Sequence, residues 1–229
     1  QVLNNAYVPE TTAINNYLQT HSPFRDGIGI IIDIGASSLT KYVIKNNEIS
    51  DISSNSLCAA GTGLFLEEQA ERLGIDLEKA HALDINDPPN IASRCTVFAK
   101  SDLIHHQQED RTKDEMWAGM CKALTVSAAN TLFKGGDIKG EIALIGGVSR
   151  NTEVIRWFKK LFPLAFWIVP DHSESVIAIG AMEGALTQTA QIDLDSFIPP
   201  LKNELMPPLK LKKSKYPDFI DPSVDSLKN

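Results

Sequence analysis

The chain has 229 residues, 43% hydrophobic and 22% charged, with a formal net charge of −7 and an isoelectric point near 5.2. That length buries a full core in one to two compact domains, while the acidic balance offers no basic face to a duplex or to an anionic membrane surface. The longest apolar run, 27–34, is too short to span a bilayer, and no charged-then-apolar leader opens the chain, so a cytoplasmic setting without nucleic-acid or membrane partners is expected.

Taken in chain order, residues 1–26 carry weak periodicity, with a helix expected over about 10–18 before Pro23. This stretch reads as the tail of a preceding unit, and because the sequence starts at Gln1 without Met, a fragment of a longer protein is expected. The run 27–34 (GIGIIIDI) is continuous, apolar and β-branched, as in a central strand buried on both faces. Two shorter strands fit 39–44 and 48–53, joined by a tight turn at Asn46-Asn47.

After Cys58 the period becomes helical, with Leu64, Phe65, Ala70 and Leu73 on one face and Gly74 as a stop. Further helices are expected over about 96–106 and over 113–133, where Met116, Met120, Leu124 and Ala128 recur every fourth residue. A buried strand over 141–145 ends at Gly146-Gly147, and a helix over 152–161, a strand over 165–169 and a helix over 174–189 follow. This order predicts an α/β sandwich of mixed sheet and covering helices. From Ile192 onward six of the twelve prolines and many lysines appear without periodicity, as in an extended tail or linker. The expected division is therefore 1–26, 27–190 and 191–229.

Four segments carry candidate chemistry. The first, Asp33-Ile34-Gly35-Ala36-Ser37-Ser38, ends the buried strand in a small-residue turn. Such a turn exposes backbone N–H groups to a phosphate, and its aspartate can orient a water or hydrated Mg²⁺. An ordinary turn after a strand is the plainer alternative. The second, Cys58-Ala59-Ala60-Gly61-Thr62-Gly63, leads into a helix. Unpaired N–H groups and the helix dipole there favour an anion and a ligating thiolate, with a glycine-rich turn beside a buried cysteine as the alternative.

The third segment, Ser93-Arg94-Cys95-Thr96-Val97-Phe98-Ala99, again sets a cysteine at an expected helix start. Iron–sulfur clusters take four thiolates, so two from each subunit of a two-fold dimer would complete a set. The fourth, Gly146-Gly147-Val148-Ser149-Arg150-Asn151, lets a flat ring such as adenine, with its ribose, lie on bare backbone; an ordinary strand-to-helix turn is again the alternative. An odd number of cysteines in a chain without secretory features argues against a disulfide framework. Cys121, among Met116, Met120 and Leu124, reads as core. His81, His105 and His106 read as solvated, and Trp157, Phe158, Phe162 and Phe166 as packing.

In this order the four segments resemble the BadF/BadG/BcrA/BcrD-type ATPases, specifically activators of 2-hydroxyacyl-CoA dehydratases. The stretches SLCAAGTGLFLE and SRCTVFAKSDLI carry the resemblance, and SVIAIGAMEGAL matches the family's final helix. The resemblance implies an actin/Hsp70/sugar-kinase (ribonuclease H-like) ATPase fold, mainly its second subdomain. It further implies a homodimer sharing one 4Fe-4S cluster through Cys58 and Cys95, with ATP or ADP and Mg held by Asp33, Gly35, Ala36, Ser37, Gly61, Thr62, Gly63, Gly146, Gly147 and Asn151.

The family activity is ATP-driven delivery of one low-potential electron, taken from a donor such as ferredoxin or flavodoxin, to a dehydratase or CoA-ester reductase. Two departures weaken the hydrolysis expected of this chain. The family's phosphate motif usually reads Asp-x-Gly-Gly-Gln-Asp where this chain has Asp33-Ile34-Gly35-Ala36-Ser37-Ser38, and the family's first phosphate motif does not occur in this sequence. A degenerate repeat that docks a partner or completes a dimer without ATP turnover is therefore the alternative function. A kinase of small acids or sugars on the same fold leaves the paired cysteines unexplained.

Overall fold

The computed structural model describes residues 8–55, 62–77, 83, 85–93 and 95–187. The run of isoleucines forms β1 (Gly29–Ile34), which pairs antiparallel with β2 (Leu39–Lys45). β3 (Glu48–Asn55) extends the meander. Asn46 and Asn47 between β2 and β3 both take positive φ, 54° and 58°, the conformation a two-residue type I′ hairpin turn demands. On the other side of β1, β4 (Gly140–Ile145) and then β5 (Ala165–Ile168) add in parallel, for a strand order β3-β2-β1-β4-β5.

Successive side chains of a strand face opposite ways, so β1 feeds two cores. Ile32 and Ile34 pack with Phe65 and Leu66 of α2 (Gly63–Leu73), Leu124 of α4 (Lys113–Phe133) and Trp157 of α5 (Thr152–Leu161). Ile31 packs on the opposite face with Tyr42, with Ile14 and Leu18 of α1 (Glu10–His21), and with Val176 of α6 (Val176–Thr187). α3 (Thr96–Gln108) contributes Ala99 and Leu103 to the first core.

Local chemistry fixes several ends. α4 opens on a capping box in which the Glu115 amide donates to Thr112 Oγ1 and the Thr112 amide donates to Glu115 Oε2. It closes with Lys134 in the left-handed region. α2 closes at left-handed Gly74, the stop expected from the sequence.

Other positions depart from the sequence-based expectation. α1 runs on to His21, past the end expected near residue 18, and packs into the second core. α6 starts at Val176 instead of Glu174, because His172 takes a left-handed conformation and Ser173–Ser175 form a tighter 3-10 turn. Phe166 is 59% exposed on the edge strand β5, with the Arg25 guanidinium 6.0 Å from its ring. Phe158, in contrast, lies inside.

His105 is solvated as expected, but the His106 ring is mostly covered and hydrogen-bonds Glu109 and the Asn90 carbonyl. His81 lies outside the described residues. The chain divides into a unit of Gln1–Gln191 and a remainder, Ile192–Asn229, which is also outside them. Among the described residues no helix is long and apolar enough to cross a membrane.

Candidate functional site

Three turns converge at the carboxyl end of β1. The first follows Ile34 and is closed by the Gly35 amide donating to the Ser38 carbonyl at 3.0 Å. The second is the start of α2, where the amides of Gly63 and Leu64 donate to the carbonyls of Gly35 and Ala36, both at 2.9 Å. The third follows β4, with Gly147–Arg150 forming a short 3-10 turn ahead of α5. A Cβ on Gly63 would stand 3.1 Å from the Gly35 carbonyl oxygen and 2.9 Å from Val148 Cγ2, so glycine at 63 is what lets the three turns meet.

Between them lies a cleft of about 440 Å³, lined by Gly35 and Ala36, by Gly63, Leu66 and Glu67 of α2, by Leu77, and by Gly147, Val148, Arg150, Asn151 and Thr152. Five residues singled out from the sequence, Gly35, Ala36, Gly63, Gly147 and Asn151, thus share one concavity. Ser37 is exposed on the first turn. Thr62 is buried at the head of α2 and does not line the cleft. Cys58 and Gly61 lie outside the described residues.

Three placements differ from the reading of bare motifs. The first two amides of α2 are engaged by Gly35 and Ala36, so they are not free for an anion. Asn151 spends its side chain on structure: Oδ1 accepts from the amides of Glu153 and Val154 at 3.0 and 3.1 Å, and Nδ2 donates toward Cys121 Sγ at 3.8 Å. Gly146 backs the site instead of lining it: φ is 83° there, and a Cβ would come 2.2 Å from Asp33 Oδ1.

Asp33 is only 6% exposed and lies on the strand face shared with Ile31, toward Tyr42. It does not line the cleft. Burial, reinforced by the charge of Glu10, pushes its carboxyl from 3.8 up to about 6. Tyr42 donates its hydroxyl to Glu10 Oε1. Its phenol is held far above the usual range by burial, by that bond, and by the charges of Glu10 and Asp33.

Cys95 is a free thiol of intermediate exposure, in extended conformation at the N-cap of α3, where no side chain caps the helix. Val97 and Phe98 beside it are 69% and 66% exposed. Cys121 is fully buried, as its neighbours suggested. Burial first, then the charge of Glu153, raises its thiol well above the ordinary value.

Sequence reasoning missed Leu66, Glu67, Leu77 and Thr152 as cleft residues, and it carried Val148 and Arg150 only as members of the fourth segment. Leu66 and Glu67 had a signal, since they stand three and four positions after Gly63 and helical spacing carries the Gly63 face onto them. Leu77 follows the helix stop and had none.

Residues 21–185 match the family described as the BadF/BadG/BcrA/BcrD ATPase family. The chain is 30% identical over 154 residues to a 2-hydroxyisocaproyl-CoA dehydratase activator of Clostridioides difficile, covering 66% of this chain and 57% of that protein. It is 32% identical over 129 residues to the activator of lactoyl-CoA dehydratase of Anaerotignum propionicum, covering 55% and 49%. It thus spans about half the length of these two relatives.

Among solved structures, the activator of the 2-hydroxyisocaproyl-CoA dehydratase from Clostridium difficile with bound ADPNP superposes with a TM-score of 0.70 at 26% identity, over 79% of this chain and 66% of that one. The fold shared with that structure is a five-stranded mixed α/β sheet flanked by helices. With 21–185 matched, the chain belongs to the BadF/BadG/BcrA/BcrD ATPase family.

Proposed function

We propose that this chain is the nucleotide- and cluster-bearing portion of an ATP-dependent iron–sulfur activator that passes a low-potential electron to a 2-hydroxyacyl-CoA dehydratase or a related CoA-ester reductase. The observation that carries the reading is the meeting of Gly35-Ala36, Gly63 and Gly147-Val148 in one cleft of about 440 Å³, in a chain whose relatives include named dehydratase activators. A cavity of that volume suits a small molecule largely buried on binding.

In this reading ATP or ADP lies across the cleft. The turn at Gly35, Ala36 and Ser37 faces the phosphates, and the open backbone of Gly147, which has nothing within 4 Å of its Cβ position, faces the base and sugar. Glu67 offers a carboxylate to ribose hydroxyls, and Arg150 offers a planar cation to the face of a ring.

Cys95 fits a thiolate ligand: it is free, partly accessible and set at an uncapped helix start. Together with Cys58 it would supply two of four thiolates, the other two coming from a second copy in a homodimer. When bound there, a 4Fe-4S cluster would supply the one-electron redox centre. The exposed Val97 and Phe98 are apolar surface that such a dimer would cover. A ferredoxin or flavodoxin is the donor class that matches a low-potential centre.

The test is anaerobic purification of the intact protein, followed by iron analysis and calorimetry with ADP and Mg²⁺. Expected are bound iron that is lost in Cys58→Ser and in Cys95→Ser, and a saturable heat of ADP binding. A colourless wild type would remove the electron-transfer part, and the absence of heat would remove the nucleotide part.

A second reading has one observation in its favour. With Ser37-Ser38 in the motif and the Gly63 and Leu64 amides already engaged, the phosphate end of the cleft offers few free donors. A degenerate repeat that docks a partner without ATP turnover would show the iron but no heat.

A further inference from the structure

Among the described residues the most deeply buried charged side chain lies outside the cleft. Glu153, in the first turn of α5, has no exposed surface, and its two oxygens carry four bonds. Oε1 accepts from Trp157 Nε1 at 2.8 Å and Arg156 Nη2 at 2.5 Å; Oε2 accepts from Arg156 Nε at 2.9 Å and from the Leu83 amide at 2.7 Å. Arg156 reaches past it to the Ile85 carbonyl at 2.9 Å, and Lys160, one turn on, donates to the carbonyl and side-chain oxygens of Asn86 at 3.0 and 2.8 Å. One face of α5 therefore grips a chain segment some seventy positions earlier in the sequence.

That segment leads to Cys95 and stays held along the way. The Pro89 carbonyl sits against Gly119 of α4, where a Cβ would come 2.7 Å from it. The Asn90 carbonyl meets His106 Nε2 at 3.1 Å, and the Ala92 amide donates to Asp102 Oδ2 at 2.8 Å, both partners on α3. At its other end the grip begins in the cleft wall: Asn151 and Thr152 line the cleft, and Asn151 Oδ1 receives the Glu153 amide itself.

We propose that Glu153 is a positioning residue: it ties the cleft-facing start of α5 to the segment that enters α3, so that occupancy of the cleft sets the placement of the Cys95 end of α3. The inference rests on the nucleotide reading above and adds to it the route by which bound nucleotide is felt at Cys95. The links are hydrogen bonds and, at Pro89 and Gly119, close packing between described residues. Three of the four bonds to the Glu153 carboxylate come from Arg156 and Trp157 of α5 and the fourth from the Leu83 amide, which leaves the buried group one well-defined arrangement. A ligand that biases the Asn151 turn biases that arrangement, which is what coupling between two sites requires.

Hydrogen exchange on the intact protein, with and without ADP and Mg²⁺, tests this. In the wild type, ADP should slow exchange both in 146–152 and in 85–93, the latter by about fivefold. In Glu153→Gln, ADP should still slow 146–152, while the effect on 85–93 disappears. Lys160→Met, at an exposed position, should reduce the effect around Asn86 without threatening the fold, and so keeps the inference testable if Glu153→Gln does not fold.

Full retention of the ADP effect on 85–93 in Glu153→Gln, or in Lys160→Met where the first variant is unfolded, overturns the coupling. Slowing of 146–152 alone in the wild type overturns it too, with the nucleotide reading intact. Slowing of neither segment overturns the nucleotide reading and the coupling with it.

Discussion

The backbone of Gly146 is pressed against the carboxylate of Asp33. An added Cβ at 146 would stand 2.2 Å from Asp33 Oδ1 and 2.6 Å from the Ile34 carbonyl oxygen, at a φ of 83°. Its neighbour Gly147 has nothing within 4 Å and no positive φ. The two adjacent glycines therefore serve different ends, one the junction of β1 with β4 and the other the surface of the cleft.

Gly146→Ala should lower stability by about 2 kcal/mol or more, from the clash and the strained backbone together. Gly147→Ala should stay within about 0.5 kcal/mol of wild type yet weaken ADP binding, because its methyl projects into the cleft. Urea unfolding of both variants beside calorimetry separates the roles, and equal loss of stability in the two would contradict them.

Asp33 makes stability depend on pH in an unusual direction for a carboxylate. Its pKa in the folded protein, about 6, lies above the 3.8 from which it starts, so between those values the native state binds more protons than the unfolded one. Its contribution to stability is thus fully present below about pH 4, falls as pH rises toward 6, and stays lost above. A shift of that size corresponds to about 3 kcal/mol as an order of magnitude. Asp33→Asn, which carries no charge to bury, should be more stable than wild type at pH 8 in the absence of nucleotide and metal, with the gap closing at pH 4. A gap that stays constant with pH would show that Asp33 does not titrate in this range.

Much of the fold was legible because its signals are local. The capping box at Thr112 and Glu115, the Asn151 cap of α5 and the Asn46-Asn47 turn each need only a few consecutive residues, and the ends they mark fell where the sequence suggested. What was not legible depends on which face meets which partner. Alternation along β1 puts Ile31 with Asp33, but with both faces of the strand buried the pattern cannot tell which face borders the cleft. Phe166 reads as packing until β5 is known to be an edge. Glu153 in a first helical turn reads as an ordinary complement to the helix dipole, and its burial appears only when residues 83–86 are brought against α5.

The α1–α6 contact was also invisible in the sequence. A Cβ on Gly180 would stand 1.9 Å from the Ala13 carbonyl oxygen, while the Gly180 carbonyl accepts from Asn16 Nδ2 at 3.1 Å. The helices thus touch backbone to backbone, and neither can move without disturbing the Ile14, Leu18 and Val176 core. Gly180→Ala should cost about 3 kcal/mol, at the upper end of overpacking effects, against the small gain an alanine brings to an open helix. A thermal melt unchanged or raised in Gly180→Ala would mean that α1 is not held there.

Arg150 and Glu67 line the cleft from different elements, the turn after β4 and the first half of α2. Both are exposed at the surface of the chain, so truncating either should leave urea stability within about 0.5 kcal/mol of wild type. Arg150→Ala should raise the Kd for ADP about tenfold by removing a planar cation from the base. Glu67→Gln keeps the size and loses the charge, so its effect should be smaller and should reappear as a reduced preference for ribose over 2′-deoxyribose nucleotides. Iron content should not change in either variant, since neither touches Cys95. If both bind ADP as wild type does, the base and sugar lie somewhere other than between α2 and the Gly147 turn.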